Sequence, residues 1–79
     1  MKARVTVTLK NSVLDPQGEA ITDALKNLAF KGIHSLRQGK VFDIVLDDQS
    51  SETAKQKLEQ MCEELLANPV IENYTIELL

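Results

Sequence analysis

From Lys2 to Lys10 the chain alternates, with Ala3, Val5, Val7 and Leu9 on one side and Arg4, Thr6, Thr8 and Lys10 on the other. A period of two predicts a strand with one face on a core and one in water. Asn11 and Ser12 break the alternation, and Asp15 before Pro16 reads as a helix N-cap with proline in the first turn, where its missing N–H loses nothing. Ile21, Ala24, Leu25 and Leu28 then recur at helical spacing. Gly32, just past Phe30 and Lys31, is read as the left-handed terminator, which predicts a first helix over about 16 to 30.

Between Ile33 and Asp47 the residues are apolar and β-branched, but the alternation changes phase: Ile33 is odd, whereas Leu36, Phe42, Ile44 and Leu46 are even. Gln38 and Gly39 lie at the change. Glycine there permits a tight hairpin or a bulge in one long bent strand, and the hairpin is the preferred reading. The polar run Asp47 to Ser51 predicts a loop that ends in a serine cap, Ser50 or Ser51, with Glu52 at the positive end of a second helix. The apolar stripe of that helix is Ala54, Leu58, Met61, Cys62, Leu65 and Leu66. Asn68 and Pro69 stop it, because proline drives its predecessor out of helical geometry. Tyr74, Ile76 and Leu78 alternate with Thr75 and Glu77 in a last strand. The order is strand, helix, strand, strand, helix, strand, with the middle pair as two strands or one. The class is α+β, an antiparallel sheet with two helices on one face in a ferredoxin-like arrangement, and residues 1–79 read as a single domain.

Composition narrows the function. At 79 residues with 43% apolar and 27% charged content the chain is globular, yet a chain this short buries only about 60% of its unfolded surface. One cysteine, Cys62, forms no internal disulfide and gives too few ligands for a structural zinc. Association is the remaining source of stability. A net charge of −3 offers no footprint for nucleic-acid phosphates. No apolar run reaches the roughly 20 residues of a membrane span, and the start of the chain runs into strand-like sequence rather than a signal peptide. A cytoplasmic protein is expected.

Catalytic motifs are sparse. His34, the single histidine, has no neighbouring carboxylate to orient it and reads as a surface residue at a helix-to-strand junction. Cys62 lies in the apolar stripe before Glu63 and Glu64, a setting that disfavours a thiolate. Asp43, Asp47 and Asp48 lack the spacing of a calcium loop. Three glycines do not cluster into a phosphate-binding loop, so no cofactor is expected on this chain. Phe42 and Tyr74 fall on the core side of their strands and are not free for base stacking. Two polar clusters remain: Lys10 and Asn11 leading into Asp15, Pro16, Gln17 and Gly18, and the run Arg37, Gln38, Gly39, Lys40. Ordinary capping and solvated turns account for both.

Taken together, Leu9, Lys10, Val13 to Gly18, Ala20 and Ile21, the Arg37 to Lys40 turn, and the run Asn68 to Tyr74 resemble the PurS family, small subunits of phosphoribosylformylglycinamidine synthase. The resemblance spans nearly the whole chain. It implies a non-catalytic subunit of a complex in de novo purine synthesis that bridges a synthetase subunit and a glutaminase subunit and supports ammonia transfer. ATP and magnesium would be used by the synthetase subunit, and the chain would self-associate as a dimer or tetramer. By residue it implies a cap at Asp15 and Pro16, backbone roles for Gly18 and Gly39, and partner-subunit contacts at Lys10, Gln17, Arg37 and Lys40. Charge reversal at Arg37 and Lys40 is then expected to weaken assembly with the isolated fold intact. Ala29 stands where a glycine is expected, Leu36 where a valine is, and Ser12 where many relatives have glycine.

Two other readings compete. A ferredoxin-like regulatory module would bind a small metabolite. The run Arg37 to Phe42 also resembles the anion loop of acylphosphatases, but it follows the first helix instead of preceding it, and Asp43 stands where an arginine is wanted.

Overall fold

The computed structural model describes residues 1–79. Strand β1 (Lys2–Leu9) is followed by helix α1 (Pro16–Asn27), strand β2 (Gly39–Val45), helix α2 (Ser51–Met61) with a π-helical extension (Cys62–Leu66), and strand β3 (Glu72–Leu78). The sheet is antiparallel in the order β2-β1-β3. Val5 stands opposite Phe42 on one side and Ile76 on the other, so the apolar sets of all three strands share one face. Ala3, Val5 and Val7 are buried there in one cluster with Leu58 of α2 and Cys62 of its extension, and Ala54 of the same stripe is buried too, as the alternation and the stripe predict. The opposite face carries Arg4, Thr6, Thr8 and Asp43 together with the exposed Val41 and Val45, and on it Arg4 Nε donates to Asp43 Oδ1 at 2.8 Å.

The α+β class and the antiparallel sheet are as read from the sequence, with three differences. The hairpin is absent: β2 is a single strand that begins at Gly39, and residues 31–38 make no backbone–backbone hydrogen bond. Gly39 instead lets β2 close on β1, since a Cβ there would lie 2.7 Å from the Val7 carbonyl oxygen.

The first helix also ends earlier than expected. Leu28 caps it, Ala29 takes the left-handed conformation at φ 69°, and the amides of Ala29 and Phe30 donate to the carbonyls of Lys26 and Leu25. That is the double closure usually built on glycine. Gly32, at φ 83°, bends the chain after the helix has stopped. In α2, the wider π turn carries Leu65 out of the stripe to 84% exposure and brings Ala67 inside at 6%.

The third difference is in the layering. Only α2 lies on the apolar face, towards β3. No residue of α1 joins the core, and Ile21 and Leu28 are 40% and 70% exposed. The radius of gyration is 15.9 Å, against about 12 Å for a compact chain of this length.

Replacing Ala29 with glycine removes a left-handed penalty of about 1 kcal/mol. Hydrogen exchange of the Leu28 and Phe30 amides in A29G is expected to slow about fivefold. In the core, Leu58→Ala is expected to cost about 2–5 kcal/mol in urea unfolding.

Candidate functional site

The two polar clusters meet at the end of the sheet where β1 leaves and β2 and β3 enter. After β1, the Lys10 amide donates to the Ile71 carbonyl at 2.9 Å, and the Val13 amide closes a turn onto the Lys10 carbonyl. This turn sets Asp15 at the head of α1. Its Oδ1 accepts the Gly18 amide at 2.9 Å, the capping bond expected from the sequence, and its Oδ2 accepts the Gln38 amide at 2.6 Å. The second bond ties the two clusters together.

Asp15 is 5% exposed, and a carboxylate so placed is tolerated because both oxygens are paired. Its carboxyl titrates below the ordinary range. The Gln38 amide is the largest cause and the Gly18 amide the next; both favour the charged form against the opposing effect of burial. Gly18 allows this packing, since a Cβ would lie 2.5 Å from Asp15 Oδ2 and 2.8 Å from the Leu36 carbonyl oxygen.

Arg37 has a fixed structural task. Its Nη2 donates to the carbonyl oxygens of Lys10 and Val13 at 2.9 and 2.7 Å, so the guanidinium clamps the β1–α1 turn. A carboxylate placed there by charge reversal would face two carbonyl oxygens. The expectation that Arg37 and Lys40 can both be reversed with the fold intact therefore applies to Lys40 alone. Gln17 Oε1 accepts from Gln38 Nε2 at 2.7 Å on the exposed side. Lys40 shares the apolar face's parity with Phe42 and ends that face in water, with Nζ 3.9 Å from Glu72 Oε2.

A cleft of roughly 200 Å³ opens between Gln17 and Gln38 on one side and Lys40 and Glu72 on the other. The structure thus brings Gln17, Arg37 and Lys40 around the Asp15 junction, with Lys10 at its margin. Gln38 and Glu72 belong to the same surface, although the sequence reading assigned neither a role. Glu72 Oε1 accepts the Asn68 amide at 2.6 Å and so also fixes the turn into β3. The cue for it was parity: residues 72, 74, 76 and 78 share a face.

The other candidates lie elsewhere. His34 is exposed on the segment that returns from α1, where it faces Thr22 and Asp23 of that helix across a separate cleft. Cys62 is fully buried, and burial, reinforced by Glu63 and Glu59, pushes its thiol upward. Tyr74 Oη donates to Glu63 Oε1 at 2.9 Å, and this bond is the main reason its hydroxyl titrates above the usual value.

Fold and site define a small α+β protein with a three-stranded antiparallel sheet and a hydrogen-bonded polar end. The family model for PurS, phosphoribosylformylglycinamidine (FGAM) synthase, matches residues 2–79. The phosphoribosylformylglycinamidine synthase subunit PurS of Archaeoglobus fulgidus is 46% identical over 76 residues, covering 96% of this chain and 95% of its own. The crystal structure of Methanocaldococcus jannaschii PurS is similar at a TM-score of 0.86 and 41% identity, over 96% of this chain and 92% of that one. A chain in the structure of PurLQS from Thermotoga maritima reaches a TM-score of 0.90 at 33% identity, over 99% and 95%. The chain belongs to the PurS family, the small subunit of FGAM synthase in purine biosynthesis.

Because its folded-state carboxyl is lowered, Asp15 contributes its full stabilisation above the ordinary carboxylate pKa of about 4 and loses it as pH falls through the folded value. In hydrogen exchange at pH 6, Asp15→Asn is expected to lower protection of the Gly18 and Gln38 amides roughly 5- to 30-fold. The wild type should lose the same protection only below about pH 4.

Proposed function

We propose that this chain acts without chemistry of its own as a bridge between the synthetase and glutaminase subunits of FGAM synthase, working in the cytoplasm and self-associating to do so. The synthetase subunit would use ATP and magnesium to form the amidine, and the glutaminase subunit would release ammonia from glutamine. The observation that carries the reading is the junction itself. The segments through which the sequence resembles the family, Leu9 to Ile21, Arg37 to Lys40 and Asn68 to Tyr74, are joined into one surface by hydrogen bonds from Arg37 to the Lys10 and Val13 carbonyls, from the Gln38 amide to Asp15 and from the Lys10 amide to the Ile71 carbonyl.

The physical case for a bridge rests on ammonia. Released into bulk water near neutral pH it is protonated and loses its nucleophilicity, so transfer between two active sites is helped by an interface that excludes water. A preorganised surface suits that task because little side-chain entropy is lost on docking. Gln17 and Lys40 carry exposed polar ends on this surface and are the residues proposed to meet partner subunits. Arg37 and Asp15 hold it in shape, and Lys10 lends its backbone carbonyl to the Arg37 clamp.

The test is glutamine-dependent amidine formation by the synthetase and glutaminase subunits of the same organism, with and without this chain, with light scattering of the mixture. Activity and a larger complex only in its presence are expected; full activity in its absence would sink the bridging role. Lys40→Glu is expected to raise the concentration needed for half-maximal activity at least tenfold while the circular dichroism of the isolated chain stays unchanged.

A further inference from the structure

Alternation along β2 and β3 turns residues 40, 42 and 44 and residues 72, 74, 76 and 78 towards the apolar side of the sheet, and all but two of these are apolar or aromatic. The exceptions are Lys40 and Glu72, opposite in charge and at the same end of the sheet. Strand β1 runs between their strands, so the two side chains meet over Val7 and Leu9 at the cleft of roughly 200 Å³. A charge turned inward is costly unless it is paired. Glu72, with its side chain 16% exposed, gives Oε1 to the Asn68 amide, but its Oε2 has only Lys40 Nζ at 3.9 Å, beyond hydrogen-bond length. Neither Oε2 nor Nζ makes a hydrogen bond within the chain.

The facing wall is built of amides. Gln17 Oε1 accepts from Gln38 Nε2 at 2.7 Å, which leaves Gln17 Nε2 as a donor and Gln38 Oε1 as an acceptor with no partner in the chain. Both backbones are anchored, Gln17 in the first turn of α1 and Gln38 by its amide on Asp15. Asp15 lines the cleft too, but its two oxygens are taken by the Gly18 and Gln38 amides. What the cleft offers over an apolar floor is therefore one ammonium, one carboxylate oxygen, one amide donor and one amide acceptor.

We propose that this cleft binds a free α-amino acid with a side-chain carboxamide, its carboxylate on Lys40, its ammonium on Glu72 Oε2 and its carboxamide against Gln17 and Gln38. A zwitterion pairs both charges at once, whereas a simple anion leaves Glu72 unmatched and a simple cation leaves Lys40 so. A carboxamide donates and accepts together, as the two glutamines require; a side-chain carboxylate has no proton for Gln38 Oε1. The space, about seven waters at ~30 Å³ each, suits a molecule of this size and falls short of the roughly 300 Å³ at which drug-sized pockets begin. The site shares Gln17 and Lys40 with the surface assigned to partner subunits, but it does not rest on the bridging role, and its occupancy is measured on the chain alone.

Nitrogen-15 correlation spectra of the full chain, titrated with glutamine and separately with asparagine, report the Gln17 and Gln38 side-chain amides and the Gly39 backbone amide. Saturable shifts at these signals are expected below about 10 mM of at least one of the two, and the tighter of them gives the side-chain length that fits. Glycine has no carboxamide, glutamate replaces it with a carboxylate, and propionamide has no zwitterion; each is expected to bind at least about tenfold more weakly. Lys40→Met is expected to weaken binding by a similar factor, with the signals of the sheet away from the cleft unmoved. No saturable shift with either amino acid, equal affinity for any of the three controls, or undiminished binding by Lys40→Met overturns the assignment and leaves the bridging role standing.

Discussion

The carboxylate of Asp15 accepts two backbone amides from distant parts of the chain, Gly18 at 2.9 Å and Gln38 at 2.6 Å. The first bond starts a helix and the second decides where the chain must return before it can enter β2. A neutral side chain could satisfy one of these amides as well; two converging donors call for a charged acceptor with an oxygen for each. Gly18 leaves room for it, and Arg37, clamped over the Lys10 and Val13 carbonyls, holds the turn from the other side. The Asp15 and Arg37 contacts thus tie the β1–α1 turn to the start of β2 at two independent points, and the polar surface is built across them.

That junction also explains the shape of the molecule. It anchors α1 at its N-terminal end alone, so the remainder of the helix is free of the sheet and the apolar layer is filled only by α2. The core is accordingly small, with Val5, Val7, Leu58 and Cys62 as its largest fully buried side chains. A small core and an uncovered helix stripe belong together in a chain of this length, since apolar surface left open in one copy is what association can bury.

Much of this was legible in the sequence. β1, β3 and the two helices follow from period and caps, because each is set by contacts between residues close in the chain: alternation in β1 and β3, the Asp15–Pro16 start of α1, and the stop at Asn68 and Pro69; the hairpin read between residues 33 and 47 does not, and one strand, β2, stands in its place. The inward set Ala3, Val5 and Val7 was readable for the same reason. The two polar clusters could be picked out as unexplained by packing, although their sharing of one carboxylate could not.

What only the tertiary structure decided depends on partners far apart in sequence. Arg37 reads as a free surface charge until the Lys10 and Val13 carbonyls are found beside it, 27 and 24 residues away. Residues 31–38 carry strand-like residues yet form no strand, because strand character needs a bonded neighbour and they pair with neither open edge of the β2-β1-β3 sheet. Leu65 has the spacing of a core residue, but one π turn rotates it into water and puts Ala67 in its place. Periodicity determined which residues are apolar on which face; whether each face finds a surface to cover it was settled by the path of the chain, through hydrogen bonds that no local pattern encodes.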